Sequence, residues 1–214
     1  TVVGKDNLRK SLSENYKQKI PEPLHQQLCG LVRDYVLVGG LPEVVKKFLE
    51  TRNLSDCQSI QTTIIETFRE DFHKYAKKQQ IKHLRALFDN IPHQLGRKFK
   101  YIHVAEDIKS RELKDALDLL ETAGLIYKVY HSSANGIPLG AEMDEKKFKV
   151  LFFDIGLSHR LLGLDLRDLY LNNQIHLVNN GALAELLMGL EIVANSSCEA
   201  RPRLFYWHRE SKSA

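Results

Sequence analysis

The chain has few of the residues that punctuate or staple a fold: 12 glycines, 6 prolines and 3 cysteines in 214 residues. So little glycine and proline excludes collagen-like and low-complexity classes. Cys29, Cys57 and Cys198 are odd in number, far apart and without a Cys-x-x-Cys pair. Neither a disulfide framework nor a cysteine zinc site is therefore expected, and a reducing, cytoplasmic location is. No run reaches the ~18 to 20 apolar residues of a membrane span; the most apolar window, 181–190, holds Glu185. The first six residues lack the apolar centre of a signal peptide. The sequence also begins without Met, as expected for a piece of a longer protein.

Recognisable catalytic patterns are missing too. Gly-x-x-x-x-Gly-Lys-Ser/Thr occurs nowhere, and Gly4-Lys5 is followed by Asp6, so no phosphate-cradling loop is expected. His73, His83, His93 and His103 recur every ten residues. That spacing turns successive side chains about 80° apart on a helix, and Pro92 would break the helix anyway, so no metal cluster is expected. Asp154, Ser158 and His159 have the residue types of a hydrolytic triad but no nucleophile elbow; Asp154 reads as a helix cap. No catalytic residue is predicted.

What is present is the composition of a folded domain, 43% hydrophobic and 27% charged, long enough for one large unit or two compact ones. After Pro21 and Pro23, the residues Leu24, Leu28, Leu31, Val32, Tyr35 and Val36 share one helical face. Gly39-Gly40 ends that helix and Pro42 opens a second, with Val44, Val45, Phe48 and Leu49 as its apolar stripe. Pro42 lacks an amide, so this glycine pair reads as a helix–helix turn. A third helix carries Ile60, Ile64, Ile65, Phe68, Phe72 and Tyr75; a short fourth carries Ile81, Leu84, Leu87 and Phe88 and stops at Ile91-Pro92. Ser110 is placed to cap a fifth with Leu113, Ala116, Leu117, Leu120 and Ala123 inward, closed by Gly124.

Residues 125–130 and 148–153 then read as strands around a turn-rich tip with Asn135-Gly136 and Pro138. Helices followed by a long-tipped hairpin predict a winged helix-turn-helix. A short helix after Asp154, a mixed stretch over 161–171, a break at Asn179-Asn180-Gly181 and a helix with Leu183, Leu186, Leu187 and Leu190 come next. Residues 203–208 read as a strand without an evident partner. The predicted fold class is mainly α with a small β component (α+β).

The net charge of +4 is unevenly spread. From Lys74 to Lys100 there are eight basic residues, Lys74, Lys77, Lys78, Lys82, Arg85, Arg97, Lys98 and Lys100, against Asp89 alone. A local +7 on an otherwise slightly acidic chain is the footprint of a polyanion contact, and equally of a solvated helix face. In a DNA-reading winged helix, the helix from Ser110 would enter the major groove. Its Arg111 and Lys114 are outnumbered by Glu112, Asp115, Asp118 and Glu121, a face that repels phosphate. Backbone contact by the basic segment, without base reading, is the expectation.

Five stretches, in order, carry a resemblance. They are Tyr35-Val36-Leu37-Val38-Gly39-Gly40-Leu41-Pro42-Glu43-Val44-Val45, Leu119-Leu120-Glu121-Thr122-Ala123-Gly124-Leu125-Ile126, Phe152-Phe153-Asp154-Ile155-Gly156-Leu157, Gly181-Ala182-Leu183-Ala184-Glu185 and Phe205-Tyr206-Trp207. Together they resemble the C-terminal portion of prokaryotic AAA+-type ATPases that carry a domain of unknown function behind the ATPase module. The matching positions are Gly39, Gly40, Pro42, Gly124, Asp154, Gly156, Gly181 and Glu185.

The resemblance implies that 1–78 are the lid end of an ATPase module and its connector, 79–154 a winged helix, and 155–214 the start of a restriction-endonuclease-like α/β domain. The ATP and Mg²⁺ site would lie upstream of Thr1. Glu185 sits nearly opposite the leucine stripe of its helix, where a solvated glutamate is ordinary. In nucleases of that fold a Glu so placed helps hold a divalent metal, with the indispensable Asp and Glu-x-Lys on strands beyond Ala214. Three functions stay open: a nucleic-acid backbone binder, a docking or regulatory module for its own ATPase, a second copy or another protein, and a nuclease completed outside these residues. A membrane partner is not expected.

Overall fold

A computed structural model describes residues 20–163, 180–196 and 203–208. The expected mixed stretch over 164–171, Asn179 and Cys198 lie outside them.

Proline opens the first two helices, α1 (Glu22–Val38) and α2 (Pro42–Thr51), at first-turn positions where its missing amide costs no hydrogen bond. Helix α3 (Leu54–Tyr75) is capped by Asn53, whose Oδ1 accepts from the Ser55 N–H at 2.9 Å. Helix α4 (Lys78–Asn90) gives way to a 3₁₀ turn, Ile91–Gln94, with Pro92 in its first turn. Helix α5 spans Ser110–Thr122. Ser110 is its first helical residue and not its cap: Lys109 holds the cap position and bonds no amide through its side chain.

Strands β1 (Ile126–Ser132) and β2 (Met143–Phe152) form an antiparallel hairpin with Ile126 opposite Phe152 and Tyr130 opposite Phe148. β2 starts five residues earlier than the apolar pattern indicated, because Glu145, Lys146 and Lys147 extend it into solvent. Helix α6 (Ile155–Leu161) follows directly, then α7 (Asn180–Ala194) and β3 (Leu204–Tyr206). The strand without an evident partner has one: β3 runs parallel to β1, giving the order β2-β1-β3. The fold is mainly α with a small β component.

One core joins these elements. The buried ring of Phe88 on α4 lies 5.6 Å from Phe72 and 5.9 Å from Phe68 of α3, and 5.3 Å from Phe152 of β2. Such tilted and edge-on pairs add to the area they bury. Phe99 donates its N–H to the Phe148 carbonyl at 2.9 Å and stacks on the Phe148 ring, which lays residues 98–100 beside β2. The apolar stripe of α3 departs from expectation at its last member. Tyr75 is 73% exposed.

Candidate functional site

The glycine pair and the aspartate of the sequence motif, 114 residues apart, meet in space. Gly39 and Gly40 form the corner between α1 and α2, and Asp154 leaves β2 as the N-cap of α6. One carboxylate oxygen accepts from the Gly40 N–H and the other from the Leu157 N–H, both at 2.8 Å. Gly39 has φ +80°, and a Cβ there would stand 2.5 Å from Asp154 Oδ1. A Cβ on Gly156 would stand 2.5 Å from the Val38 carbonyl oxygen. Gln61 of α3, itself buried, donates from Nε2 to that same oxygen at 3.1 Å. Burial pushes the Asp154 carboxyl up, opposed by the amides of Gly40, Leu157 and Gly156. The corner is a structural clamp, and Asp154 caps as expected.

Next to it, His159 on α6 is 2% exposed and neither ring nitrogen has a partner among the described residues. Burial lowers its pKa to about 4, so it is neutral near neutral pH. Ser158 donates its hydroxyl to the Asp154 backbone carbonyl at 2.9 Å. The three residues therefore make a helix start and no nucleophile–base pair.

The eight basic residues divide into two groups. Lys74, Lys77, Lys78, Lys82 and Arg85 line the elbow between α3 and α4 and the exposed face of α4, all solvent-facing. Arg97, Lys98 and Lys100 follow the other end of α4, where the Lys100 N–H donates to Gln94 Oε1 at 2.9 Å. Lys77 and Lys78 stand at the start of α4, whose 13 residues rise about 20 Å, and Arg97, Lys98 and Lys100 come after the 3₁₀ turn that follows its last residue.

Acids engage some of them. Lys74 pairs with Asp71 at 2.5 Å, which raises its pKa, and Lys82 pairs with Asp107 at 3.4 Å. Arg85 donates to the Arg69 carbonyl and meets His73 Nε2, both at 3.2 Å. Lys77, Lys78, Arg97, Lys98 and Lys100 make no ion pair among the described residues. The remaining histidines of the ten-residue series do not converge: His83 is buried 3.6 Å from Glu112, whereas His93 and His103 are exposed.

Residues that sequence reasoning missed change two other readings. Lys128 on β1 bonds Asp118 and, at 2.8 Å, Glu121, with its side chain almost fully covered. The single charge of Lys128 thus offsets one of the two negative charges of Asp118 and Glu121 from within, and Arg111 and Lys114 meet somewhat less repulsion than a charge count of the helix alone implies. Glu185 is not a freely solvated glutamate. Lys149 on β2 donates to its two carboxylate oxygens at 2.9 and 2.7 Å, and the Lys149 ammonium sits 5.1 Å from the centre of the Tyr206 ring. Both lysines reach from a strand to a separate helix, so no local pattern announced either ion pair.

An ammonium on both oxygens of Glu185 does not fit metal ligation, and no cluster of three or more His, Cys, Asp or Glu able to hold a metal ion occurs among the described residues. Of the other motif positions, Pro42 opens α2, Gly124 follows α5 with φ +77°, and Gly181 lies in the first turn of α7 with open space around it. No described helix is long and apolar enough to cross a membrane.

This mainly helical fold with a three-stranded sheet carries a clamped helix corner and two exposed basic groups. The chain belongs to the family of domains of unknown function DUF8612, whose model matches residues 30–168. That span takes in the corner, both basic groups, the hairpin and α6. No curated protein and no solved structure matches the chain.

Proposed function

We propose that this chain is a non-catalytic binding module, a winged helix that holds the sugar–phosphate backbone of nucleic acid through Lys77, Lys78, Arg97, Lys98 and Lys100. The observation that carries this reading is the availability of those five cations. They are exposed and free of acidic partners among the described residues, while the lysines of β1 and β2 nearest the core are bound up in ion pairs. Their placement on two segments, one before α4 and one after it, suits an extended polyanion better than a small anion.

The reading extends to the parent protein. The module forms the C-terminal part of a cytoplasmic prokaryotic AAA+-type ATPase, whose ATP and Mg²⁺ are bound elsewhere in that polypeptide. Duplex binding measured against salt is the test. Affinity falls steeply as salt rises, and reversal of Lys77, Lys78, Arg97 and Lys98 to glutamate removes it. Binding indifferent to salt, or unchanged in that variant, refutes the reading.

A second reading, docking to its own ATPase module, a second copy or another protein, draws on the clamp at Gly39, Gly40 and Asp154. That clamp rigidly joins the α1–α2 corner to the exit of the hairpin. It predicts a defined complex and no DNA binding at moderate salt. Glu185 as a metal ligand in a longer chain has the least support, since Lys149 occupies its oxygens.

A further inference from the structure

Tyr75 is where the helical pattern and the surface disagree. It continues the buried stripe of Ile65, Phe68 and Phe72 in sequence, yet it is 73% exposed and its ring meets no other ring among the described residues. It is also the last residue of α3, and Lys78 is the first of α4, so only Ala76 and Lys77 lie between. Three residues of chain span at most about 11 Å. Tyr75, Lys77 and Lys78 therefore share one elbow, and Lys82, four residues past Lys78, continues the same face of α4. An open aromatic face beside two unpaired cations, Lys77 and Lys78, is the pairing that single-stranded nucleic acids use, phosphate against ammonium and base against ring.

We infer that the α3–α4 elbow binds single-stranded nucleic acid, with Tyr75 stacking on an unpaired base whose flanking phosphates are held by Lys77 and Lys78. This rests on the backbone-binding reading above and adds to it a choice of strand state. An exposed tyrosine at the end of a helix cannot reach a base that is paired and stacked inside a duplex, whereas an unpaired base swings out to it. An acidic protein segment would match the lysines equally well but gains little from the ring, because a carboxylate has no face to stack. Discrimination between a strand with bases and one without is what the ring supplies.

The test uses the full 214-residue chain and fluorescence anisotropy with a labelled 20-nucleotide oligo-dT strand, an abasic strand of the same length, and a 20-base-pair duplex. Oligo-dT binds more tightly than the abasic strand. Tyr75→Ala weakens oligo-dT roughly tenfold, within the range of one lost base stack. It leaves the abasic strand, the salt slope and the melting temperature unchanged, since the ring is exposed. Tyr75→Trp keeps the preference. Equal loss of oligo-dT and abasic binding in Tyr75→Ala, no loss of either, or equally tight binding of a polyglutamate peptide of the same charge overturns the inference while leaving a general polyanion contact standing. A wild-type chain that binds no strand in a salt-dependent way overturns both readings at once.

Discussion

At the scale of single residues, burial decides which charges are available. Glu185 and Lys149 are half-buried and satisfied by each other, so removing one strands the other. Glu185→Gln is expected to lower unfolding stability in urea by about 1.5–3 kcal/mol, the usual worth of a hydrogen bond to a charged group. Addition of Mg²⁺ to the wild type is expected to leave the melting temperature where it was. A metal ligand would give the opposite, a rise with Mg²⁺ that Glu185→Gln removes.

His159 supplies a pH dependence. Its pKa is lowered from 6.5 to about 4 in the folded chain, so the native state resists its protonation. The stability this contributes is complete above pH ~6.5 and is lost as pH falls through ~4, a difference of roughly 3 kcal/mol. Asp154, raised by burial, has the opposite sign, but it is common to the wild type and to His159→Gln and cancels between them. Urea unfolding of the two proteins over pH 7 to 4 is expected to show a steeper fall for the wild type. Parallel curves would mean that His159 finds a proton acceptor in the folded state.

At the scale of elements, the corner between α1 and α2 shows why glycine stands where it does. Gly156→Ala drives a methyl group against the Val38 carbonyl and Gln61, and overpacking of this kind costs about 1–3 kcal/mol. Gly181→Ala, with open space around it, is expected to stay within about 0.5 kcal/mol of the wild type. Denaturant midpoints of the two variants check both.

The helices were legible because their periodicity is local: Leu84, Leu87 and Phe88, or Leu113, Leu117 and Leu120, declare one buried face without reference to anything distant. The hairpin was legible from Phe148 onward, where Phe148, Val150, Leu151 and Phe152 are buried, and illegible over Met143–Lys147, where β2 leaves the core and burial stops writing the pattern. The pairing of β3 with β1 could not be read at all, since Val129 meets Leu204 through a contact that no local signal encodes. Tyr75 misled for a related reason: periodicity places it on the core face, but α3 has by then run past its neighbours. Of the candidate site, the cations were legible as a run and their division by α4 was not. Lys128 and Lys149 went unnoticed because ion pairs to distant helices leave no mark in sequence.

At the scale of the whole molecule, a chain of net charge +4 carries five of its unpaired cations in the segments just before and after α4, with other exposed ones, Lys46, Lys109, Arg111, Lys114 and Lys146, spread over the rest of the described surface. Lys128 and Lys149 offset part of the negative charge nearest the hairpin, so the field outside follows the distribution of unpaired charges more than the total. The most direct test of the account is the salt dependence of binding to a 20-base-pair duplex. With all five cations engaged, log K falls against log salt with a slope of about −4.5, so affinity drops by about 500-fold between about 50 and 200 mM salt. The Lys77, Lys78, Arg97 and Lys98 reversal abolishes the slope together with the binding. A flat salt response, or a slope that survives the reversal, would contradict the account and leave the molecule as a protein-docking module.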